Sequence, residues 1–179
     1  TEHDDHVEAI CPWGNHFFCH DPSPRFGRIN LGMPYVEFDI PTGAAKGVAD
    51  FYARVFGAAT TVDGAAARIS VGMEQELVFR ETRAKLAPYD GHHIQVYVAN
   101  FSGPHRELLE RGLITEESNQ HQYRFDSIVD LENGKPLIQI EHEVRSMRHP
   151  LYARPLVITR GRADQAMRAP PAARRSTRS

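Results

Sequence analysis

The chain has 179 residues, of which 41% are hydrophobic and 25% are charged, and this balance is typical of a globular protein. Its length suffices for one well-buried domain or for two small modules that share a core. No apolar run approaches the roughly 18 residues that a membrane helix needs, so the sequence predicts no membrane partner and favours a cytoplasmic location.

Charge is unevenly distributed along the chain. The net charge is −2, from 21 basic and 23 acidic residues, but residues 160–179 carry six arginines against Asp164 alone. We therefore interpret 160–179 as a disordered, solvated basic tail. An arginine-rich tail can also contact nucleic acid, but no aromatic side chains alternate with these arginines, so we expect no nucleic-acid partner.

Residues 1–20 have the pattern of a β-hairpin. Two short stretches of strand-forming residues flank the turn sequence Pro12-Trp-Gly-Asn15. No helix precedes them, so this orphan hairpin has the form of the end of an upstream module. The turn should place Cys11 opposite His16 rather than Cys19, so a disulfide is not expected and a reducing compartment fits.

Residues 33–82 predict a module with the order strand, helix and three strands. Its opening strand, 33–40, alternates polar and apolar side chains, which point to opposite faces of a strand. A helix at about 44–57 follows, with one apolar stripe and Gly57 as its stop. The other strands are predicted at about 59–62, 66–71 and 75–81.

Residues 91–145 repeat this order. Polar and apolar side chains alternate in the opening stretch Asp90-Gly-His-His-Ile-Gln-Val-Tyr-Val-Ala-Asn100. This stretch aligns with the first opening strand at an offset of 58 residues, which matches Tyr35 with His93. The offset indicates a repeat of supersecondary units. The other predicted elements are a helix at about 104–112 capped by Ser102 and strands at about 121–129 and 135–143, while 113–119 are too polar to assign.

These paired modules, with a His-Ile-x-Val-x-Val opening strand at His93 and a closing strand after a Gly turn, resemble the vicinal oxygen chelate superfamily. That superfamily includes glyoxalase I, extradiol dioxygenases, fosfomycin-resistance transferases and bleomycin-resistance binding proteins. The resemblance covers about residues 6–145. It implies an α+β fold in which two βαβββ modules form a cup-shaped, mostly antiparallel sheet, and it implies pairing of modules within a chain or across a homodimer.

The resemblance also implies a metal centre where the two modules meet, with ligands from the first and last strands of each. His93 stands at the opening-strand position of the second module, Glu141 at its closing strand, and Glu76 at the closing strand of the first module. Tyr35 stands where many metal-binding members have histidine. Such residues would hold a divalent ion, Fe, Mn, Ni or Zn, with open positions for water or for two neighbouring substrate oxygens.

Further side chains are predicted to surround this centre. Glu37 would lie beside it as a general base or a substitute ligand. The residues predicted to line the cup and contact substrate are Tyr35, Gln95, Tyr97, His121 and Arg124. Each of these residues, like each predicted ligand, also has a structural interpretation as a satisfied interior side chain or part of a polar sheet face.

Two functions stay open from the sequence. The first is a divalent-metal enzyme of lyase or isomerase type that acts on a small substrate with adjacent oxygens; dioxygenase chemistry is less favoured, because Tyr35 removes one of the histidines that such members use. The second is a metal-free protein of the bleomycin-resistance type, which binds or sequesters a small molecule through Tyr35, Tyr97 and Phe79. Residues 146–159 contain two prolines and are predicted to be an extended arm over the sheet or over a partner subunit.

Overall fold

A computed structural model describes residues 1–29 and 32–154. The basic tail 160–179 and part of the predicted arm lie outside the described residues. Thr1–His149 form one compact unit that contains the hairpin and both predicted modules. Within the described ranges no helix is both long and apolar enough to cross a membrane.

The first module consists of a four-stranded sheet and one helical segment. Its elements are β3 (Tyr35–Pro41), α1 (Ala45–Phe51), a π-helical turn (Tyr52–Phe56), β4 (Thr60–Asp63), β5 (Ala66–Gly72) and β6 (Gln75–Thr82), and they follow the hairpin strands β1 (Val7–Ile10) and β2 (His16–Cys19). The strand order in the sheet is β3-β6-β5-β4. Only the β3–β6 pair is parallel; the other two pairs are antiparallel.

The second module repeats this topology. Its elements are β7 (His93–Val98), α2 (Ser102–Glu110), β8 (Ile114–Asn119), β9 (Gln122–Val129) and β10 (Pro136–Ser146). The sheet order is β7-β10-β9-β8, again with one parallel pair, β7–β10. The α+β fold of two βαβββ modules is therefore confirmed, and so is the repeat, because Tyr35 and His93 are the first residues of β3 and β7.

The predicted helix at 44–57 consists of an α-helix followed directly by a π-helical turn. An α-helix runs to Phe51 and a π-helical turn continues to Phe56, before Gly57 ends the segment in a left-handed conformation at φ 66°. Gly57 tolerates this angle because it has no Cβ. The apolar stripe is buried as predicted, with Val48 and Phe51 inaccessible to solvent. The α-to-π change gave no signal in the apolar periodicity.

In the second module one prediction needs correction, and one segment that the sequence left open is a strand. Ser102 does not cap α2 with its side chain; it is the first helical residue, and Asn100 Oδ1 instead accepts a hydrogen bond from the Gly103 amide at 3.1 Å. The polar segment 113–119 does contain a strand, β8. Its composition is polar because β8 is an edge strand paired only with β9, so most of its side chains are exposed.

One hydrophobic core serves both modules, because the helical segment of the first packs against the sheet of the second. Phe51 and Phe56 each lie with their rings 5.9 Å from the ring of Phe125 in β9. The Tyr52 hydroxyl lies 2.5 Å from His142 Nε2 in β10. His142 Nδ1 lies 2.9 Å from the Ile140 carbonyl, which can only accept, so Nδ1 carries the proton and Nε2 accepts from Tyr52.

This buried bond predicts the effect of removing one hydroxyl. Tyr52→Phe should lower the free energy of unfolding by about 1–3 kcal/mol, because it leaves His142 Nε2 buried without a donor. Urea unfolding at pH 7 measures the change. Tyr35→Phe is the matched control, since Tyr35 is exposed and its variant should stay within about 0.5 kcal/mol of the native chain. Equal effects of the two variants would contradict the prediction.

The N-terminal hairpin forms a sheet of its own. β1 and β2 pair antiparallel, from Val7 opposite Cys19 to Ile10 opposite His16. The predicted position of Cys11 is wrong by one residue, because its amide bonds to the Asn15 carbonyl across the turn. The hairpin itself is where the sequence predicted it.

Candidate functional site

The polar face of the first sheet carries three of the predicted site residues. Tyr35 and Glu37 lie on β3 with their side chains away from the core, and Glu76 on β6 is the register partner of Tyr35. Glu37 is bound in bidentate fashion by Arg80, with Nε to Oε1 at 2.7 Å and Nη2 to Oε2 at 2.9 Å. Its carboxylate raises the pKa of Arg80. The predicted general base therefore has a fixed cation partner in this structure.

Glu76 has a cation partner as well. Its Oε2 accepts from Arg68 Nη1 at 2.8 Å, across the antiparallel β5–β6 pair. The two arginines and two glutamates thus form two separate ion pairs on one sheet face. They are partly exposed to solvent, so each pair contributes little to stability.

The polar face of the second sheet carries the remaining predicted residues except His121. The parallel register of β7 and β10 places His93 beside Glu141, and Gln95 beside Glu143. Tyr97, two residues further along β7, lies beside Arg145. Side chains that are register partners on adjacent strands point to the same face, so this face brings together polar groups from both ends of the module.

Arg124 on β9 is at the centre of a charged group that we term the Arg124 cluster: Glu116, Arg124, Glu141, Glu143 and Arg145. Arg124 donates from Nη1 to Glu141 at 2.7 Å and from Nη2 to Glu143 at 2.5 Å. Glu143 also lies 2.5 Å from Arg145 Nη2, and only 5% of its side chain is exposed. A carboxylate between two guanidinium groups is thereby neutralised inside the sheet face.

One donor of this cluster has no acceptor within the described residues. Arg124 Nε is buried and makes no hydrogen bond there, and Glu116 Oε2 is 3.7 Å away, which is beyond hydrogen-bonding distance. A buried unpaired donor costs free energy, so it marks a position where an acceptor would be bound favourably.

Two further residues extend the polar face towards the end of β10. Arg145 Nε donates to Gln122 Oε1 at 2.8 Å, and its Nη1 lies 3.4 Å from the Tyr97 hydroxyl. His121 lies in the turn before β9, where its Nδ1 is 3.4 Å from Ser146 Oγ. Gln122, Glu143 and Arg145 were not predicted from the sequence, although each has the same alternation parity as a predicted site residue on its own strand, Arg124 or Glu141.

The structure brings two of the three predicted metal ligands together, because His93 is beside Glu141 in strand register. The third, Glu76, is beside Tyr35, which was predicted to contact substrate. Within residues 1–29 and 32–154 these side chains do not form a group of three or more ligands with their ligand atoms within 4.8 Å of one another; such a group exists at Asp5, His6 and His20 instead. The ligand set of His93, Glu141 and Glu76 stays a prediction.

One aromatic residue predicted to contact a ligand does not reach the polar face. Phe79 is fully buried in the core, with its ring 5.4 Å from Phe38 and 5.7 Å from Tyr52. Its role in ligand binding is excluded, because its side chain points to the opposite side of the sheet from Tyr35 and Glu76. Tyr97 and Tyr35 do lie on the polar faces.

Two surface hollows of the described chain lie beside α2 rather than on the polar faces. One has a volume of about 460 Å³ and is lined by residues that include Arg54, Asn100 and Arg106; the other, of about 380 Å³, is lined by residues that include His105 and Gln122. Neither is lined by a predicted site residue. We place the candidate site on the sheet faces, where the buried charges and the unpaired donor lie.

Comparison with known proteins gives structural similarity only. No family model matches the chain, and no curated protein matches it. One similar solved structure is a lactoylglutathione lyase from Agrobacterium tumefaciens, with 14% sequence identity over 71% of this chain and 99% of that chain and a TM-score of 0.45. A second is the oxidase ChaP-H1, with 19% identity over 64% of this chain and 96% of that chain and a TM-score of 0.44. A third is TioX from Micromonospora sp. ML1, with 14% identity over 65% of this chain and 98% of that chain and a TM-score of 0.43. The chain's own strand order and register are those of two βαβββ modules.

Proposed function

We propose that the chain is a small-molecule-binding protein whose ligand lies, without a metal ion, on the polar face of the second sheet. The observation that carries this proposal is the pairing of both predicted ligand carboxylates with arginines, Glu141 with Arg124 and Glu76 with Arg68. A divalent ion at either carboxylate would have to bind next to a guanidinium cation, and the repulsion would weaken it. This arrangement favours binding or sequestering, as in bleomycin-resistance proteins, over metal chemistry.

The Arg124 cluster indicates the class of ligand. The unpaired Nε of Arg124 is a donor that a ligand oxygen, such as a carbonyl, a hydroxyl or a carboxylate, would satisfy once the side chains that cover it move aside. Tyr97 on the same face supplies a ring and a hydroxyl, and Gln95 supplies an amide. A small oxygen-rich molecule with an apolar or aromatic part matches these groups.

The test uses a panel of small aromatic carboxylates, phenols and vicinal diols, screened by thermal shift and then by calorimetry on the untagged chain. Arg124→Lys keeps the charge but removes the Nε donor, and we expect it to weaken binding at least tenfold. Arg68→Lys is the matched control on the other sheet and should leave affinity within about twofold, as should Glu141→Gln. No binding by any panel member, or equal losses in the two lysine variants, would contradict the proposal.

The second candidate is a divalent-metal enzyme of lyase or isomerase type, with dioxygenase chemistry behind it. It is favoured by the register that places His93 beside Glu141 on adjacent strands. His93, Glu141 and Glu76 would hold an Fe, Mn, Ni or Zn ion, and Glu37 would act as a base once released from Arg80. The ion, when bound, would polarise two adjacent oxygens of a small substrate. Glu141 and Glu76 could bind the ion only if Arg124 and Arg68 each release one carboxylate oxygen.

Elemental analysis separates the two candidates. The untagged chain, the His93→Ala variant and the Glu141→Gln variant are purified without metal affinity and measured after dialysis against each candidate ion. The metal enzyme predicts about one bound equivalent that both variants lose. The binding protein predicts no equivalent that depends on His93. Metal that persists in both variants would exclude the proposed centre.

Homodimerisation and a cytoplasmic location are part of the same proposal. Modules of this fold pair within a chain or between chains, and the apolar tips of the hairpin are exposed, Trp13 most of all. Light scattering after size exclusion tests the dimer, and a mass of about 20 kDa, that of one chain, would contradict it. Cell fractionation tests the location.

A further inference from the structure

The open end of the N-terminal hairpin gathers metal-binding side chains that neither proposed function uses. His6 immediately precedes β1 and His20 immediately follows β2. Since Val7 pairs with Cys19, the next two residues outwards, His6 and His20, come to lie across from each other, and their ring centroids are 5.0 Å apart. The antiparallel register thus brings together two imidazoles that are 14 residues apart in the sequence.

Asp5 adds a carboxylate to this pair. Its Oδ1 lies 2.7 Å from His6 Nδ1, and ligand atoms of Asp5, His6 and His20 all lie within 4.8 Å of one another. A tetrahedral ion with bonds of 2.0–2.2 Å needs ligand atoms roughly 3.4 Å apart. Side-chain rotations that move the ligand atoms by about 1 Å would bring the three residues to that spacing. Both imidazoles are half-buried, which restricts the other rotamers that they can adopt.

A cation already contacts two of the three residues. Arg25 donates from Nη1 to Asp5 Oδ2 at 3.1 Å, and its Nη2 lies 2.6 Å from His20 Nδ1. The same Nδ1 lies 3.0 Å from the Asp5 carbonyl oxygen, so this nitrogen is shared between a group that only donates and a group that only accepts. The guanidinium is therefore a competitor that a metal ion would have to displace from Asp5 and His20.

We propose that Asp5, His6 and His20 form a transition-metal site, which a divalent ion occupies by displacing the Arg25 guanidinium. Two imidazoles and one carboxylate suit Zn²⁺, Ni²⁺ or Co²⁺, and they disfavour Mg²⁺ and Ca²⁺, which take oxygen ligands. Arg25 has a half-exposed side chain on a flexible stem, and so it can leave without disturbing the core.

The site predicts opposite effects for its ligands and for Arg25. Zn²⁺ is titrated into the full untagged chain by calorimetry, and Co²⁺ binding is followed by visible absorption. His6→Ala and His20→Ala should each weaken Zn²⁺ affinity at least tenfold, and Asp5→Asn should weaken it by a similar factor. Arg25→Ala should tighten it about tenfold, because the competing cation is gone. Mg²⁺ should give no heat of binding.

Two controls distinguish this site from metal binding elsewhere on the chain. His16→Ala removes a histidine of the same hairpin that bonds to Glu8 instead, at 2.6 Å, and should leave affinity within about twofold. His93→Ala removes the predicted ligand on the second sheet and should also leave this binding intact, so loss of the proposed function and loss of this site are distinguishable. Absence of Zn²⁺ binding, binding that survives in the His6→Ala/His20→Ala double variant, or no gain in Arg25→Ala would overturn the proposal. Circular dichroism checks that each variant is folded.

Discussion

Glu143→Ala is expected to lower the free energy of unfolding by about 3 kcal/mol or more, one of the largest effects of any single substitution in this chain. Glu143 is buried between Arg124 and Arg145, and its removal takes the carboxylate away from both guanidinium groups, so that Arg124 keeps Glu141 and Arg145 loses its ion pair. Breaking a buried ion pair costs far more than breaking an exposed one, since the remaining charge keeps its desolvation penalty. Urea unfolding at pH 7 measures the loss.

Glu116→Ala is the matched control for this prediction. Glu116 faces the same arginine, at 3.7 Å from Arg124 Nε, but 54% of its side chain is exposed. Its removal should change the free energy of unfolding by less than about 1 kcal/mol. A double variant, Glu143→Ala with Arg145→Ala, should cost less than the sum of the single variants, because it also removes the cation that loses its ion pair. A loss below about 1 kcal/mol in Glu143→Ala would contradict the burial of this charge.

Acidification is expected to destabilise the chain through His142 by about 3 kcal/mol in total. Burial lowers the pKa of this imidazole to about 4, against about 6.5 when the chain is unfolded. Between these two values the unfolded chain binds more protons than the folded chain, so stability falls as pH falls. The contribution is fully present above about pH 6.5, declines through the interval, and is lost below about pH 4.

A histidine variant isolates this effect from the titration of the carboxylates. His142→Gln keeps an acceptor for Tyr52 but cannot take up a proton, so its stability should depend less steeply on pH between about 4 and 6.5 than that of the native chain. His93→Gln changes an exposed imidazole and should keep the native slope. The measurement is the urea midpoint at pH 7, 5.5 and 4.5. Identical slopes in all three chains would contradict the prediction.

Alternation and repetition in the sequence predicted the order of the strands and helices and its repeat, whereas the pairing of the modules was implied by the family resemblance. Strand periodicity at 33–40 and 92–98 assigned each side chain to a face, and the offset of 58 residues paired Tyr35 with His93. Both assignments depend on local geometry, in which successive side chains of a strand point to opposite sides. The polar strand β8 was not predicted, because an edge strand whose side chains are mostly exposed lacks the alternation of polar and apolar residues that identifies a strand.

The candidate site was predicted less completely. Glu141 was interpreted as a metal ligand or as part of a salt-bridged edge strand, yet β10 is an interior strand between β7 and β9, and Glu141 bonds to Arg124. Glu143 was passed over although it is the most buried carboxylate of the Arg124 cluster. Carboxylates look alike in a sequence, and only the neighbouring strand decides whether one meets an arginine, a metal or water.

The sequence by itself determined the order of elements, the repeat and the face on which each strand side chain lies, because these follow from short-range periodicity. The tertiary structure alone decided which charges neutralise one another, that His142 is buried beneath Tyr52, and that His6 and His20 meet at the hairpin end. Those contacts join residues far apart in the chain. Their partners are selected by strand register and by packing between modules, and neither is encoded in any local stretch of residues.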